Sequence, residues 1–590
     1  MTTVRKTRPR KSPLSITSRR AGKRGKKARG KQGTEPAKAP RTKGPRELDS
    51  AHSRRLLRAM EQELARQIRG LRQPGEPPPF FLSYLLHAKE GLSVWGRYGS
   101  VFRSEPQRDT DLYAEVRVGS HRLDNTIDGG ITSDPSQRQS LNWVEGPEDL
   151  DPEVLRYALW KLTQHKYDEA LQEYYEKKKI LVEQQLPTGG KSFSSEPVLK
   201  HFDSVKSVVF PRARWERFVR EASGLFRAYR YMLDPYVQIR GLNKVRIFVN
   251  SEGTRFICQD TYYEMSLQAW LLGDDGVHLE TTRTFYGRDP NSLPSLKQVA
   301  RVVDEMAHEL KDLKQSKPLD PYAGPALLSG FASGLIFHEA IGHRLEGERM
   351  GSRSEGHTFA SKIGQRILPV EVDIVDDPTL KEFAGKSLHG SYKVDDEGVL
   401  AQPAELVKDG VLRNFLMSRQ LVDGFKLSNG HGRHERFQDP MARMANLIVS
   451  ARESKSWDEL KRMLCEETLR RGLPYGIIIR GVSAGETRTD QYDFQAFKGI
   501  PTAVYTVDPK TGKETRVRDV TFIGTPLAVI QRILGFGDTP DVDNSYCYAE
   551  SGAVPVATVA PAMLVGELEL QRASTRRYRP ARLAMPPMRT

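Results

Sequence analysis

The sequence predicts an α+β protein of two domains. The first is a mixed α/β unit around an antiparallel meander. The second is β-rich, a curved sheet or partly closed barrel, and carries a helix with a His-Glu motif. Three features predict this. Apolar residues recur at helical spacing in several stretches before residue 316, and alternate with polar ones between residues 245 and 281. The Pro/Gly-bearing stretch from Lys317-Pro318 to Gly324-Pro325 interrupts both patterns. Beyond residue 365, short apolar runs are separated by frequent glycines. A chain of 590 residues also exceeds one ordinary core, so two to four domains are expected.

Taken in order, Ser50 is placed to cap a helix with Leu57, Met60, Leu64, Ile68 and Leu71 on one face, ended by Pro74 to Pro79. Strand-like runs follow at Phe80–Leu86 and Tyr113–Val118. Asp151-Pro152 opens a long helix with Leu155, Leu159 and Leu162 and aromatic Tyr157 and Trp160. Another helix covers 212–232. Val245, Ile247 and Val249 then begin a meander that turns at Asn250–Gly253, runs from Thr254 to Leu271 and returns through Val277, Leu279 and Thr281. A helix over 294–315 closes the first unit. The second opens on the helix at His338 and continues as strands at Val370–Ile374, Val411–Met417, Asn446–Ser450, Gly476–Ile479, Val504–Val507 and Val517–Ile523, with helices at 456–470 and 526–535. The expected organisation is a basic disordered tail (1–46), an N-terminal α/β domain (47–318), a C-terminal domain (319–570) and a short basic tail (571–590).

The net charge of +16 belongs to those tails. Residues 1–45 hold 16 of the 91 Lys and Arg with one acid, and residues 571–590 hold six with none, which leaves the remainder at −5. This argues against a nucleic-acid groove on the folded body; nucleic acid is expected only as a weak partner of the N-terminal tail. No apolar run reaches the ~18 residues of a membrane span, and no apolar segment follows the basic N-terminus as in a secretory signal. Three widely spaced cysteines, Cys258, Cys465 and Cys547, form no disulfide framework and fit a reducing, cytoplasmic compartment.

The chemistry concentrates in His338-Glu339-Ala340-Ile341-Gly342-His343. Imidazole is a good zinc ligand, and a glutamate beside the first histidine is placed to take a proton from water activated by such an ion. Zinc-peptidase helices space their histidines four apart; here they are five apart. At 100° per residue, five residues span 140°, so a regular helix points the two rings apart. Either a π-turn brings them into line, or the helix ends near Gly342 and His343 lies on the following turn. Two histidines do not complete a catalytic zinc site. Glu346, His357, His431, His434 and Cys547 are candidates for the third ligand.

Phe337 to Gly347 resembles the signature of the TldD/PmbA family of metallopeptidases, on its TldD side. Similar motifs follow in the same order: Gly390-Ser391-Tyr392 with Asp395-Asp396-Glu397-Gly398, Ser428 to Arg433, Pro440 to Asn446, and Cys547 followed by Gly552 to Val556. The resemblance is clear over 245–570, faint over 80–245 and absent from the tails. It implies a Zn²⁺ held by His338, His343 and Cys547, with Glu339 as general base. It also implies hydrolysis of unfolded or modified peptides in an enclosed chamber, by a homodimer or a heterodimer with a paralogous subunit. Tyr392, His431 and Arg443 are candidates to stabilise the oxyanion. The strands around 390–418 or 476–500 are candidate edges for a peptide to join. The alternative is a noncatalytic peptide-binding or assembly subunit with a structural zinc.

Overall fold

The computed structural model describes residues 48–126, 143–183, 185, 191–351, 358–436, 438–487, 497–524, 526–573, 576–579 and 586. The tail expected over 1–46 lies outside them.

Helix Ser50–Gly70 is capped by Asp49 rather than by Ser50: the Asp49 carboxylate accepts the His52 N–H at 2.7 Å, while the Ser50 hydroxyl donates to Val205 O. Leu57, Met60 and Leu64 are buried as expected. Asp151 caps the 32-residue helix Pro152–Glu183 through the N–H groups of Glu153 and Val154. Leu155, Leu159 and Leu162 are buried there, but Tyr157 is exposed and its ring lies tilted against that of half-exposed Trp160. Those two share the helix face opposite the leucines. Helix Arg212–Gly224 stops earlier than expected and winds down through a 3₁₀ turn, Leu225–Ala228. Helix Leu296–Gln315 starts at a Ser295/Gln298 capping box.

The first sheet has seven strands. Pro79–Arg97 and Ser100–Val118 form a long hairpin, and Pro79–Arg97 also pairs with Leu233–Asn250, which leads into Arg255–Leu272 and His278–Gly287. Asn250 sets the first meander turn, its side-chain oxygen accepting from the N–H groups of Glu252 and Thr254. Alternation along Pro79–Arg97 sends Leu82, Tyr84, Leu86 and Ala88 into the core beneath the first two helices. Leu85 faces the other way, into a cluster with Phe256 and Val394 that joins the two halves of the chain.

Among the described residues the second sheet has twelve strands and is curved: Val520–Gly524 pairs both with Phe497–Val507 and with Gly552–Arg572, while the ends of the sheet stay open. Gly552–Arg572 is central. It pairs antiparallel with Ile533–Ala549 and with Tyr322–Leu328, and parallel with Asn446–Ala451. None of Tyr322–Leu328, Ile533–Ala549 and Gly552–Arg572 was expected. Val554 to Val565 is buried almost throughout, so it lacks the alternation that betrays a half-exposed strand. The helix expected over 526–535 stops at Ile530 and a strand begins at Ile533, in a segment whose Gly535, Gly537 and Pro540 suit a helix poorly. Only Val411–Leu412 of the expected Val411–Met417 strand forms; beyond it Leu416 bridges Glu346.

The last strand runs to Arg572, and the Tyr578 N–H donates to Gly276 O at 2.7 Å.

Candidate metal centre

Ser329 caps helix Gly330–Phe337 by accepting the Ala332 N–H. The helix packs on strand Gly552–Arg572 and continues into a π-turn, His338–Gly342, in which the His343 N–H donates to His338 O. The widened turn is therefore the solution adopted for the extra residue. A 3₁₀ turn, His343–Leu345, ends the segment.

Gly342 serves this turn through its size. Its φ of −52° is ordinary helix, open to any residue. A Cβ there would lie 2.0 Å from Met444 Sδ, within a side chain that is itself buried. Gly342→Ala is expected to cost about 1–3 kcal/mol of overpacking, read as a lower urea midpoint at unchanged slope.

Cys547, on strand Ile533–Ala549, completes the cluster from more than two hundred residues away. The His338 Nε2 lies 3.3 Å and the His343 Nε2 3.4 Å from its Sγ. The two rings stand edge to face, 5.0 Å apart. With Zn–S near 2.3 Å and Zn–N near 2.0 Å, a tetrahedral site has an S···N edge of about 3.5 Å. Two imidazole nitrogens and a sulfur at these separations fit such an ion.

The other ring nitrogens are held from outside. His343 Nδ1 is 3.0 Å from Glu346 Oε2, and His338 Nδ1 is 3.5 Å from the Thr558 hydroxyl. Glu346 is fully buried and is steadied by Arg349 Nε at 2.9 Å and Arg443 Nε at 3.3 Å. It orients a histidine instead of joining the donor cluster. Arg443 also donates to the carbonyl of Cys547, to that of Gly552 and to the Ser551 hydroxyl.

Burial alone raises a thiol pKa, but His343, His338 and Arg443 outweigh it and hold Cys547 well below the ordinary thiol range. For both histidines burial opposes protonation, and the Cys547 sulfur outweighs it, pushing His338 up and His343 well up. Without a metal the cluster favours thiolate over thiol, the form that ligates.

His338, Glu339, His343 and Cys547 line one cavity of about 1690 Å³. It exceeds the ~300–1,000 Å³ usual for small-molecule sites and has room for a peptide chain. Among the described residues the Glu339 carboxylate has no hydrogen-bond partner. Asp543, on the same strand as Cys547, also lines the cavity; burial pushes its carboxyl up to about 6, against the pull of His338. Sequence reading missed Asp543, for which only alternation along an unrecognised strand could have signalled a position on the cavity side.

The remaining candidates lie elsewhere. His357 is outside the described residues. His431 is buried with Nε2 3.3 Å from Asp376 and Nδ1 against Asn429. His434 is buried beside His87 and Asp396. The Tyr392 hydroxyl donates to Gly430 O, and Arg443 lies beneath Cys547, so neither they nor His431 line the cavity. Residues 390–400 form no strand, since the Asp395 carboxylate folds them into a turn by accepting the N–H groups of Glu397 and Val399. Strand Gly476–Thr487 pairs on both sides only over Ile477–Ile479.

Residues 322–572 match the family described as the PmbA/TldA metallopeptidase C-terminal domain. The chain is 30% identical over 249 residues to a protein of Haemophilus influenzae named a metalloprotease TldD homolog, a match covering 41% of this chain and 47% of that one. It is 30% identical over 270 residues to a metalloprotease of Archaeoglobus fulgidus, covering 44% and 57% respectively. The chain thus spans about half the length of the curated relatives it matches. Its fold is similar to that of TldE from Thermococcus kodakarensis, with a TM-score of 0.57 and 12% identity over 88% of this chain and 100% of that one. It is also similar to a protein of Thermotoga maritima described as a putative modulator of DNA gyrase, with a TM-score of 0.56 and 16% identity over 87% and 99%. Residues 322–572, which include the π-turn histidines and Cys547, thus form a domain similar to the PmbA/TldA metallopeptidase C-terminal domain.

Proposed function

We propose that the chain is a zinc-dependent metallopeptidase that hydrolyses unfolded or modified peptides. The observation that carries the reading is the meeting of His338, His343 and Cys547 beside Glu339 in one large cavity. Held by those three side chains, zinc supplies the Lewis acidity that polarises the scissile carbonyl and makes water easier to deprotonate. Glu339 takes a proton from the attacking water as the new C–O bond forms, and returns it to the leaving amine as the C–N bond breaks. A thiolate among the ligands leaves more of that activation to Glu339. A closed structural site needs no such base, which favours catalysis over a purely structural zinc.

Two strand edges border the cavity. Among the described residues, Ile533–Ala549 pairs over 540–549 with Gly552–Arg572 alone, and His278–Gly287 with Arg255–Leu272 alone. Their residues 543–549 and 278–286 contribute much of the cavity lining. A peptide joining either edge is gripped by its backbone, which explains a preference for extended chains over particular sequences. Residues 47–318 and 319–570 act as two domains in this reading, with the cavity lined by both. Assembly with a second copy or a paralogous subunit is part of the proposal, supported by the fold shared with TldE. Three unpaired cysteines support a cytoplasmic setting, and among the described residues no helix is long and apolar enough to cross a membrane.

The test is hydrolysis of a denatured polypeptide by the purified chain. Activity is expected to vanish on chelation and return with Zn²⁺; activity that survives complete zinc removal contradicts the reading.

A further inference from the structure

A second set of metal-ligating side chains lies where the two halves of the chain meet. His87 comes from strand Pro79–Arg97, Asp396 from the turn that Asp395 organises, and His434 from just beyond the short strand Gly432–Arg433. A nitrogen of each ring and a carboxylate oxygen all lie within 4.8 Å of one another, and all three residues are buried. The His434 Nδ1 is 2.8 Å from the Gln438 carbonyl. A carbonyl can only accept, so Nδ1 carries the proton and Nε2 presents a lone pair. That Nε2 is buried and has no partner, and the same holds for Nε2 of His87. Asp396 Oδ1 lies 3.9 Å from His87 Nε2, beyond hydrogen-bond reach. Two orphaned ring nitrogens in a cluster with one buried carboxylate are costly to bury unless something binds them.

We infer that His87, His434 and Asp396 bind a divalent transition-metal ion, at a site separate from the Cys547 cluster. Two imidazoles and a carboxylate suit Zn²⁺ or a similar first-row ion. The tautomer of His434, fixed by a backbone carbonyl, is the arrangement ligating histidines use. The 3.9 Å between His87 Nε2 and Asp396 Oδ1 is about 0.5 Å wider than a tetrahedral N···O edge near 3.4 Å, and all three donor atoms lie within 4.8 Å of one another, so side-chain rotation has to draw them together around an ion. Asp396 also accepts from Arg246 at 2.7 Å and from the His434 N–H at 3.1 Å. An ionised carboxylate has about four acceptor positions, so these two leave capacity for a metal. Arg246 is also shared with the Val394 carbonyl at 2.9 Å and lies 3.7 Å from Asp260, which offsets its repulsion of a cation. Asp396 and His434 line a second cavity of about 480 Å³, through which an ion and its water can enter. The ion would tie residue 87 to residues 396 and 434, pinning the first sheet to the half of the chain that holds the other cluster.

The full-length chain tests this with Zn²⁺ and Co²⁺ as probes. Equilibrium dialysis followed by elemental analysis is expected to give two zinc per wild-type chain, and one in the His343→Ala/Cys547→Ala variant. Co²⁺ bound to that variant should show a visible ligand-field band without a sulfur charge-transfer band. Adding His87→Gln or, separately, His434→Gln should weaken Co²⁺ binding at least about 100-fold. The inference is overturned if the wild type holds a single zinc that the double variant loses, or if the cobalt band is indifferent to His87 and His434. The wild-type stoichiometry needs no substitution, so a variant that fails to fold does not blunt the test. If it is instead the Cys547 site that binds no metal, the wild type shows the ligand-field band but no sulfur charge-transfer band, and its zinc content equals that of the double variant.

Discussion

Cys547→Ala is expected to strip the metal from the proposed zinc centre and abolish the proposed peptide hydrolysis. Outer partners of metal ligands typically contribute 10- to 100-fold in affinity, so loss of a ligand should cost more, at least about 100-fold. The geometry makes the loss hard to repair. Glu346, three residues past His343, is committed to His343, Arg349 and Arg443. Arg443, whose charge helps hold Cys547 as thiolate and which donates to its carbonyl, would oppose a substitute cation once that negative charge is gone. Competition with a chromophoric chelator reads the affinity directly. Because the Cys547 ring of contacts also joins two elements far apart in the chain, a modest fall in thermal stability should accompany metal loss. Affinity equal to wild type would mean that sulfur is not a ligand.

Glu339→Gln separates binding from chemistry. The amide keeps the shape of the carboxylate and cannot accept the proton. Removal of a general base typically costs 10²- to 10⁴-fold, and the fall should appear in kcat while metal content stays at its wild-type level. Glu339 makes no side-chain hydrogen bond among the described residues, so the substitution leaves no partner stranded and should hardly change stability.

How far the sequence could be read follows from what each signal depends on. The antiparallel meander was legible because its strands are half-buried and alternate, with Asn250 marking a turn. The helices at 50–70, 152–183, 296–315 and 457–470 were legible from spacing and caps, though Asp49, one residue earlier, does the capping expected of Ser50. The two longest strands of the second sheet were not. Gly552–Arg572 is covered on both faces, so its apolar run has no period to detect, and Ile533–Ala549 is broken up by glycines and a proline.

The metal centre was half legible. Five-residue spacing of the histidines required either a widened helix or an early end, and the π-turn is observed. Gly342 within that turn is needed for the room it leaves Met444 and not for backbone freedom. Cys547 as third donor came from family resemblance alone, since no local pattern links residue 547 to residue 338. Glu346 drew notice as a possible ligand by its nearness to His343, but a ligand and a residue that orients one look alike in sequence. His87 carried no signal, because its partners Asp396 and His434 lie more than three hundred residues away.

The most direct test of the central claim is a paired measurement on wild type and Glu339→Gln: zinc retained at the Cys547 site, and turnover of an unfolded polypeptide. The account predicts equal zinc in both proteins and a fall in kcat of at least about 100-fold in the variant. Equal zinc with undiminished turnover would contradict it.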